Sequence, residues 1–198
     1  DDGHGVLSAR AGLGRGVTPR ARAVLDFWFG PPPFRPRRVW FERDPAFDEA
    51  CDAFVADQAQ AAAGAYRDWA TTPEGALALV LLLDQFPRNL YRGTARAYAS
   101  DALALETARR AIEAGWDRLV SPVQRLFFYL PFEHSESLAD QDEACRLVAA
   151  MTDHPEHAEL VRYAERHREI VARFGRFPHR NAALGRATTP EEAAFLEE

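Results

Sequence analysis

The sequence contains no lysine, and all 24 of its basic residues are arginine. Any anion that binds through a positive side chain must therefore meet a guanidinium, which suits two-pronged contacts with a carboxylate or a phosphate. The bias itself, together with the abundance of alanine, is typical of a GC-rich bacterial genome, and we interpret it as genomic rather than functional.

Cysteine is scarce as well, with only Cys51 and Cys145 in the chain. Two cysteines give neither a metal-type spacing nor a disulfide framework. Cys51 shares a helical stripe with Phe47, Phe54 and Val55, so we expect all four side chains to point inward. The absence of a disulfide framework favours a cytoplasmic location.

Long apolar stretches are also missing. The longest, residues 76–83, is far too short to cross a bilayer, and the N-terminus lacks the apolar segment of a signal peptide. We therefore expect no membrane association. The formal net charge of −6 argues against general nucleic-acid binding.

The common catalytic and cofactor-binding motifs do not occur. The chain has no phosphate-binding loop, no dinucleotide-binding glycine pattern, no G-x-S-x-G elbow and no H-E-x-x-H pair. We accordingly predict no cofactor and no metal site, and the sequence leaves the oligomeric state open.

Apolar residues recur with a helical period nearly throughout, and strand alternation is not found. A Ser, Thr or Asp N-cap followed by proline occurs five times, at Thr18, Asp44, Thr72, Ser121 and Thr189. These patterns predict an all-α fold of about eight helices packed as antiparallel hairpins. Residues 1–17 are expected to form a disordered tail, and residues 18–198 a single helical domain.

The predicted helix boundaries follow from caps, glycines and prolines. We expect Pro87 to end or kink a central helix and Pro131 to interrupt a later one. The predicted helices run from Thr18-Pro19 to Gly30, Asp44-Pro45 to Gly64, Glu74 to about Phe86, about Thr94 to Ala114, Ser121-Pro122 to Pro131, Ser135 or Glu136 to Met151, Pro155 to Phe174, and from Thr189-Pro190 to the C-terminus.

One short phrase occurs twice, in two stretches that we call the first and second Phe-Pro segments. The first (residues 84–93) reads D-Q-F-P-R-N-L-Y-R-G, and the second (residues 176–186) reads R-F-P-H-R-N-A-A-L-G-R. Both place Phe-Pro beside an Arg-Asn pair and then run through a leucine to a glycine and an arginine. Core packing does not require such a phrase, so it indicates a site or a polar structural joint.

Three histidines lie at or near inward-facing stripes. His134 starts a stripe that continues through Gln141, and His167 lies within an apolar stripe of the last long helix, just before His179 in the second Phe-Pro segment. A single inward histidine is more often a core residue. These histidines need partners, because each unpaired buried polar group costs about 1–3 kcal/mol. The same holds for Glu133, Glu136, Asp84, Gln85 and the two Arg-Asn pairs.

We predict that these groups line one polar groove for a small anionic or peptide-like ligand. The predicted ligand-binding residues are Asp84, Gln85, Arg88, Asn89, Gln141, Arg176, His179, Arg180 and Asn181. A second hypothesis is a hydrolase or lyase with Glu136 and either His134 or His167 as acid–base partners. A third is a protein-interaction scaffold, and a fourth is that the Arg and Asn side chains only cap helix C-termini.

Several longer phrases resemble the bacterial domain-of-unknown-function family 924. They include V-L-D-F-W-F-G at 24–30, L-D-Q-F-P-R-N at 83–89, Y-L-P-F-E-H-S-E at 129–136 and F-G-R-F-P-H-R-N at 174–181. The resemblance covers about residues 20–197 and implies an all-helical, tetratricopeptide-like fold without regular repeats. It supplies no catalytic residue. The family commonly has methionine where this chain has Glu133, which favours Glu136 as the candidate carboxylate.

Overall fold

The computed structural model describes residues 16–198, so residues 1–15 of the predicted tail lie outside it. The described residues contain helices and no strand, which confirms the all-α prediction. None of the helices over residues 16–198 has the length and apolarity that crossing a membrane requires. The α-helices are α1 (Pro19–Phe29), α2 (Pro45–Ala50), α3 (Val55–Ala62), α4 (Pro73–Val80), α5 (Phe86–Leu90), α6 (Asp101–Glu113), α7 (Pro122–Glu133), α8 (Leu138–Ala149), α9 (His157–Phe174), α10 (Asn181–Leu184) and α11 (Pro190–Leu196).

The five predicted cap-proline starts are all confirmed. The side chains of Thr18, Asp44, Thr72, Ser121 and Thr189 each accept a hydrogen bond from the backbone N–H three residues later. Each cap satisfies one of the free donors at a helix start, and the proline that follows has no N–H to satisfy. Local chemistry alone therefore fixes where α1, α2, α4, α7 and α11 begin.

The packing order follows from the apolar helix α4, in which every residue from Gly75 to Val80 is buried. Helices α1, α6 and α7 pack against α4, while α7, α8 and α9 pack in sequence through short connections. Such connections make successive helices antiparallel, so α7 and α9 run in the same direction. This shared direction decides the order of the side chains in the cleft described below.

The chain does not end its central helix at Pro87. It continues through a π-helical turn, Leu81–Gln85, into α5. Proline lacks an N–H, and in a regular α-helix its ring collides with the carbonyl four residues earlier, a clash that the wider turn relieves. That carbonyl, on Leu83, instead accepts a hydrogen bond from the hydroxyl of Ser100 at 2.6 Å. The π turn buries Asp84 and Gln85.

Other boundaries differ from prediction for local reasons. Helix α7 runs through Pro131 to Glu133 without interruption. The predicted helix from Asp44 to Gly64 is divided by a 3₁₀ turn, Cys51–Phe54. The tighter turn rotates the following residues, so Val55 is exposed although it was expected to point inward.

Three predicted helix starts move towards the C-terminus. The helix expected from Thr94 begins at Asp101, because a 3₁₀ turn, Ala95–Tyr98, precedes it. Helix α9 begins at His157 rather than at Pro155. Helix α8 begins at Leu138, because the hydroxyl of Ser135 binds Asp140 and the carboxylate of Glu136 binds the N–H of Phe177.

Gly75 allows a test of this packing. A Cβ atom on Gly75 would lie 2.1 Å from the carbonyl oxygen of Trp69, a backbone atom that cannot move aside. Glycine-to-alanine changes inside helices ordinarily stabilise by about 0.5–1 kcal/mol. We expect Gly75→Ala to do the opposite and destabilise by about 1–3 kcal/mol. Urea unfolding followed by circular dichroism measures the change, with Glu74→Ala as the control, and a stabilised Gly75→Ala protein would contradict the packing.

Candidate functional site

The two Phe-Pro segments meet at a cleft of about 500 Å³. The first segment reaches it from the π turn and α5, and the second from the 3₁₀ turn that follows α9. The C-terminal end of α7, one face of α9 and the loop after α1 complete the walls. The predicted site residues that line the cleft are Gln85, Arg88, Asn89, His134, His167, His179 and Arg180.

A buried carboxylate lies behind the cleft wall. Asp84 is completely buried, and its Oδ1 lies 2.7 Å from Nδ1 of His134. Its other oxygen accepts a hydrogen bond from the Gln85 amide at 2.7 Å. Burial opposes ionisation, but His134 and Arg88 hold the pKa of Asp84 at about 2. Asp84 is therefore an anion at neutral pH.

Burial lowers the pKa of His134. The charge of Arg88 lowers this pKa further, whereas the charge of Asp84 raises it. The ring is therefore neutral at pH 7, with the proton on Nδ1 and donated to Asp84. The opposite nitrogen, Nε2, has no hydrogen-bond partner within residues 16–198 and carries the free lone pair. A carboxylate that fixes an imidazole in this way prepares Nε2 to act as a base.

Glu133 precedes His134 in the chain and also lines the cleft. It is 3% exposed, and its carboxyl group accepts no hydrogen bond from any residue that the structure describes. Its Oε2 is 3.6 Å from Nδ1 of His167, which is too long for a hydrogen bond. Burial and then the charge of Asp84 raise the pKa of Glu133 to about 8. Glu133 thus holds a proton at neutral pH.

The two remaining histidines of the cleft are also neutral. His167 donates from Nδ1 to the carbonyl of Tyr163 at 2.7 Å, and burial lowers the pKa of His167 to about 4. Burial and then the charge of Arg180 lower the pKa of His179 to about 4. Both rings lie against Phe177, at centroid distances of 5.7 Å. They supply acceptor nitrogens without adding positive charge.

Arg88 of the first Phe-Pro segment and Arg180 of the second both contact a third part of the chain, residues 98–101. Arg88 makes two bonds to Asp101, at 2.8 and 2.9 Å, and donates to the carbonyl of Asp84 at 2.6 Å. Arg180 donates to the carbonyl of His134 at 2.8 Å. Both guanidinium groups also lie over the ring of Tyr98. Tyr98 and Asp101 belong to neither segment, and nothing in the sequence singled them out.

Arg88 and Arg180 differ in the hydrogen-bond donors that remain for a ligand. The hydrogen bonds of Arg88 are largely used by Asp101 and Asp84. Arg180 is 6% exposed, its Nε is buried without a hydrogen-bond partner in residues 16–198, and its NH1 is 3.6 Å from Asp101. Arg180 binds a carbonyl at the C-terminal end of α7, as the capping hypothesis expects, whereas the carbonyl that Arg88 binds lies inside the π turn. NH1 of Arg180 remains as a donor for a ligand.

Besides Asp84 behind the wall, four predicted site residues lie outside the cleft and are bound to other protein groups. Glu136 accepts two bonds from Arg186, at 2.8 and 2.9 Å, and one from the Phe177 N–H. Gln141 caps α7 by donating to the carbonyls of Glu133 and Ser135.

The other two, Arg176 and Asn181, both bind Glu192 of α11. Together with Glu136 they form a polar joint beside the cleft and fasten the second Phe-Pro segment to the C-terminal helices. Asn89 faces the cleft, but its amide is likewise engaged, donating to Asp48 at 2.8 Å.

Of the two neighbouring glutamates, Glu133 lines the cleft as a buried carboxyl group and Glu136 does not. The signal in the sequence was the apolar run from Leu126 to Phe132, which carries α7 past Pro131 and buries the residue that follows. Within residues 16–198, no group of three or more His, Cys, Asp and Glu side chains is arranged to hold a metal ion. An unprotonated imidazole, a protonated carboxyl group and a guanidinium in one cleft are suited to proton transfer on a small molecule.

The buried carboxyl group of Glu133 predicts a specific pH dependence of stability. Its pKa lies near 4.5 in the unfolded chain and near 8 in the fold, so its stabilising contribution is complete below pH 4.5 and is lost as the pH rises to 8. Glutamine keeps the shape and does not ionise. We expect Glu133→Gln to be more stable than the parent by about 1–3 kcal/mol at pH 8.5 and nearly equal to it at pH 4.5.

Urea unfolding between pH 4.5 and 8.5 measures this difference. Asp84, His134 and His167 face Glu133 and titrate in both proteins, so the comparison isolates the one carboxyl group. Glu113→Gln is the matched control, because Glu113 is exposed and its substitution should give a difference that does not vary with pH. A pH-independent difference for Glu133→Gln would show that Glu133 ionises normally.

Comparison with known proteins supports the resemblance noted in the sequence. The family model described as "Bacterial protein of unknown function (DUF924)" matches residues 24–198. A solved structure of a protein of unknown function from Agrobacterium tumefaciens is 46% identical, with a TM-score of 0.81, and the match covers 90% of this chain and 97% of that one. No curated protein matches. The chain therefore belongs to the DUF924 family of bacterial proteins of unknown function.

Proposed function

We propose that the cleft is the active site of an enzyme that binds a small anionic or peptide-like molecule and hydrolyses it by general acid–base catalysis. One observation carries the proposal. A buried ionised carboxylate, Asp84, fixes the His134 ring at 2.7 Å, and a partnerless carboxyl group, Glu133, lines the same cleft 3.6 Å from His167. A neutral imidazole and a protonated carboxyl group in one cleft are suited to act as base and acid.

The proton balance of the proposed reaction is simple. Nε2 of His134 takes a proton from a water molecule as the water oxygen bonds to the carbonyl carbon of an ester or amide. Glu133 gives its proton to the leaving oxygen or nitrogen as the bond to that carbon breaks. The imidazolium then returns a proton to the carboxylate through solvent, so the overall reaction consumes one water molecule and releases an acid and an alcohol or amine.

Arg88 and Arg180 are the charged groups that carry the binding part of the proposal. The other charged lining residues are exposed to solvent: Glu42, Arg43, Arg92, Glu156 and Glu159. Arg88 neutralises Asp101 through two hydrogen bonds, while NH1 of Arg180, a lining residue of the cleft, makes no hydrogen bond within residues 16–198. A guanidinium in a mostly buried position binds a carboxylate or phosphate more strongly than one in water. Cys51 and Cys145 are both free thiols, which supports placing the enzyme in a reducing cytoplasm.

Binding without catalysis is the second candidate, and the backbone contacts of Arg88 and Arg180 favour it, because part of the polar side chains of the site then serves structure. An interaction scaffold gains less support. A protein-binding surface has no need for a fully buried carboxylate behind the wall or for three desolvated histidines, since burying such groups is costly.

The proposal predicts a bell-shaped pH profile for hydrolysis of generic esters, amides and phosphate esters. The acid limb follows the pKa of His134, which burial places below 6.5, and the alkaline limb follows Glu133 near 8. We expect His134→Gln to lower kcat/KM by about 10²–10⁴-fold and Glu133→Gln to remove the alkaline limb. Asp84→Asn should also lower kcat, because the wrong nitrogen then carries the proton.

The matched control is His157→Gln, which changes a histidine outside the cleft and should leave the profile unchanged. Nitrogen-15 NMR of the histidine rings supplies a readout that needs no substrate. It should show His134 as the Nδ1–H tautomer at pH 7 in the parent and a different tautomer mixture in Asp84→Asn. A His134 ring that titrates near 6.5 and keeps its tautomer without Asp84 would refute the proposal.

A further inference from the structure

The geometry points to a substrate class for this cleft: a small amide or ester with an apolar acyl side and a carboxylate on its leaving side, such as an N-acylated amino acid. This inference rests on the proposed function and adds to it the identity of the two groups that flank the reactive bond. It follows from the order in which apolar, acid–base and cationic side chains lie along the cleft.

The order is read from two helices that run in the same direction. On α9, Tyr163 lies one turn before His167, and on α7, Leu130 lies one turn before His134. All four line the cleft. The faces of α7 and α9 that carry these residues come together where Nδ1 of His167 lies 3.6 Å from Oε2 of Glu133. The apolar zone therefore lies about 5 Å, one helical turn, ahead of the acid–base groups on both walls.

The apolar zone contains large side chains that are exposed to solvent. Phe41 and Tyr163 are each 55% exposed, and both belong to the small set of large apolar side chains that are exposed in residues 16–198. They come from different elements and face the same cleft. Phe41 is held in place by stacking on Phe127, with ring centroids 6.4 Å apart. Exposed apolar side chains that gather around one cleft are typical of a ligand site.

The cationic zone lies on the other side of the acid–base groups. Arg180 binds the carbonyl of His134 at the C-terminal end of α7, and its guanidinium stacks on Phe177, which touches His167 edge to face. Arg180 therefore lies beyond His134 in the direction in which α7 runs, away from Tyr163. Its NH1 makes no hydrogen bond within residues 16–198 and lies 3.6 Å from Asp101, so this end is the site for a carboxylate.

A substrate that satisfies all three zones carries its reactive bond between an apolar group and a carboxylate. For an N-acylated amino acid, the acyl group lies between Phe41 and Tyr163, and the amide carbonyl faces His134. The carboxylate of the amino acid lies on Arg180. Water adds to the carbonyl carbon and loses a proton to His134, and the C–N bond breaks as Glu133 protonates the nitrogen. The products are a carboxylic acid and a free amino acid.

The test uses three related probes on the full chain. N-benzoylglycine contains both flanking groups, N-acetylglycine lacks the aromatic ring, and benzamide lacks the carboxylate. Isothermal titration calorimetry with the His134→Gln protein measures binding without turnover, and release of glycine by the parent protein measures hydrolysis. We expect N-benzoylglycine to bind at least about tenfold more tightly than either truncated probe.

Substitutions at each end of the cleft test which group of the substrate binds there. Phe41→Ala and Tyr163→Ala should each weaken N-benzoylglycine about fivefold or more and leave N-acetylglycine unchanged. Arg180→Met should remove the preference for N-benzoylglycine over benzamide. Arg180→Lys keeps a positive charge and should retain part of that preference, and it tests the same point if Arg180→Met folds poorly. Leu138→Ala is the matched control, because Leu138 is exposed and lies outside the cleft.

The outcomes separate this inference from the proposed function. Equal affinity for the three probes, or Phe41→Ala and Tyr163→Ala proteins that bind N-benzoylglycine normally, would overturn the substrate class, while the NMR tautomer and pH profile of His134 would still test the acid–base site. Selective binding of N-benzoylglycine without any release of glycine would support the ligand class and overturn hydrolysis.

Discussion

The charge of Asp84 is the constraint on which the rest of the site depends. A carboxylate that is completely buried is costly unless charged and hydrogen-bonding partners surround it. His134 and Gln85 supply those hydrogen bonds, and Arg88 supplies an opposite charge at 3.6 Å. The hydrogen bond to Asp84 fixes the tautomer of His134, while burial and then the charge of Asp84 raise the pKa of Glu133. Burial and Arg88 keep the His134 ring neutral against the charge of Asp84.

The two Phe-Pro segments have the same structural role but adopt different conformations. In the first, Pro87 is accommodated by a π turn that buries Asp84, and in the second, Pro178 opens a 3₁₀ turn after α9. In each segment the arginine binds a backbone carbonyl and the asparagine binds a carboxylate of another element. The phrase thus joins helices, and the cleft lies between the two joints.

Much of the fold could be predicted because helix starts are encoded locally, in a capping side chain and the proline beside it. The meeting of Arg88 and Arg180 at one cleft also followed from their polar chemistry. The choice between Glu133 and Glu136 was missed, since it depends on whether the apolar run before Glu133 carries α7 through Pro131. Tyr98 was missed for a related reason, because contacts from two distant arginines, and not its own neighbours in sequence, give it a role.

The polar joint outside the cleft explains why Glu136 can matter without touching a substrate. Glu136 holds both the N–H of Phe177 and the guanidinium of Arg186. Phe177 in turn supports the rings of His167 and His179 and the guanidinium of Arg180. Loss of one partner from a partly buried ion pair leaves the other uncompensated, and the nearby chain moves to hydrate it. A change at Glu136 would therefore disturb ligand position, which is a different effect from removing a proton donor.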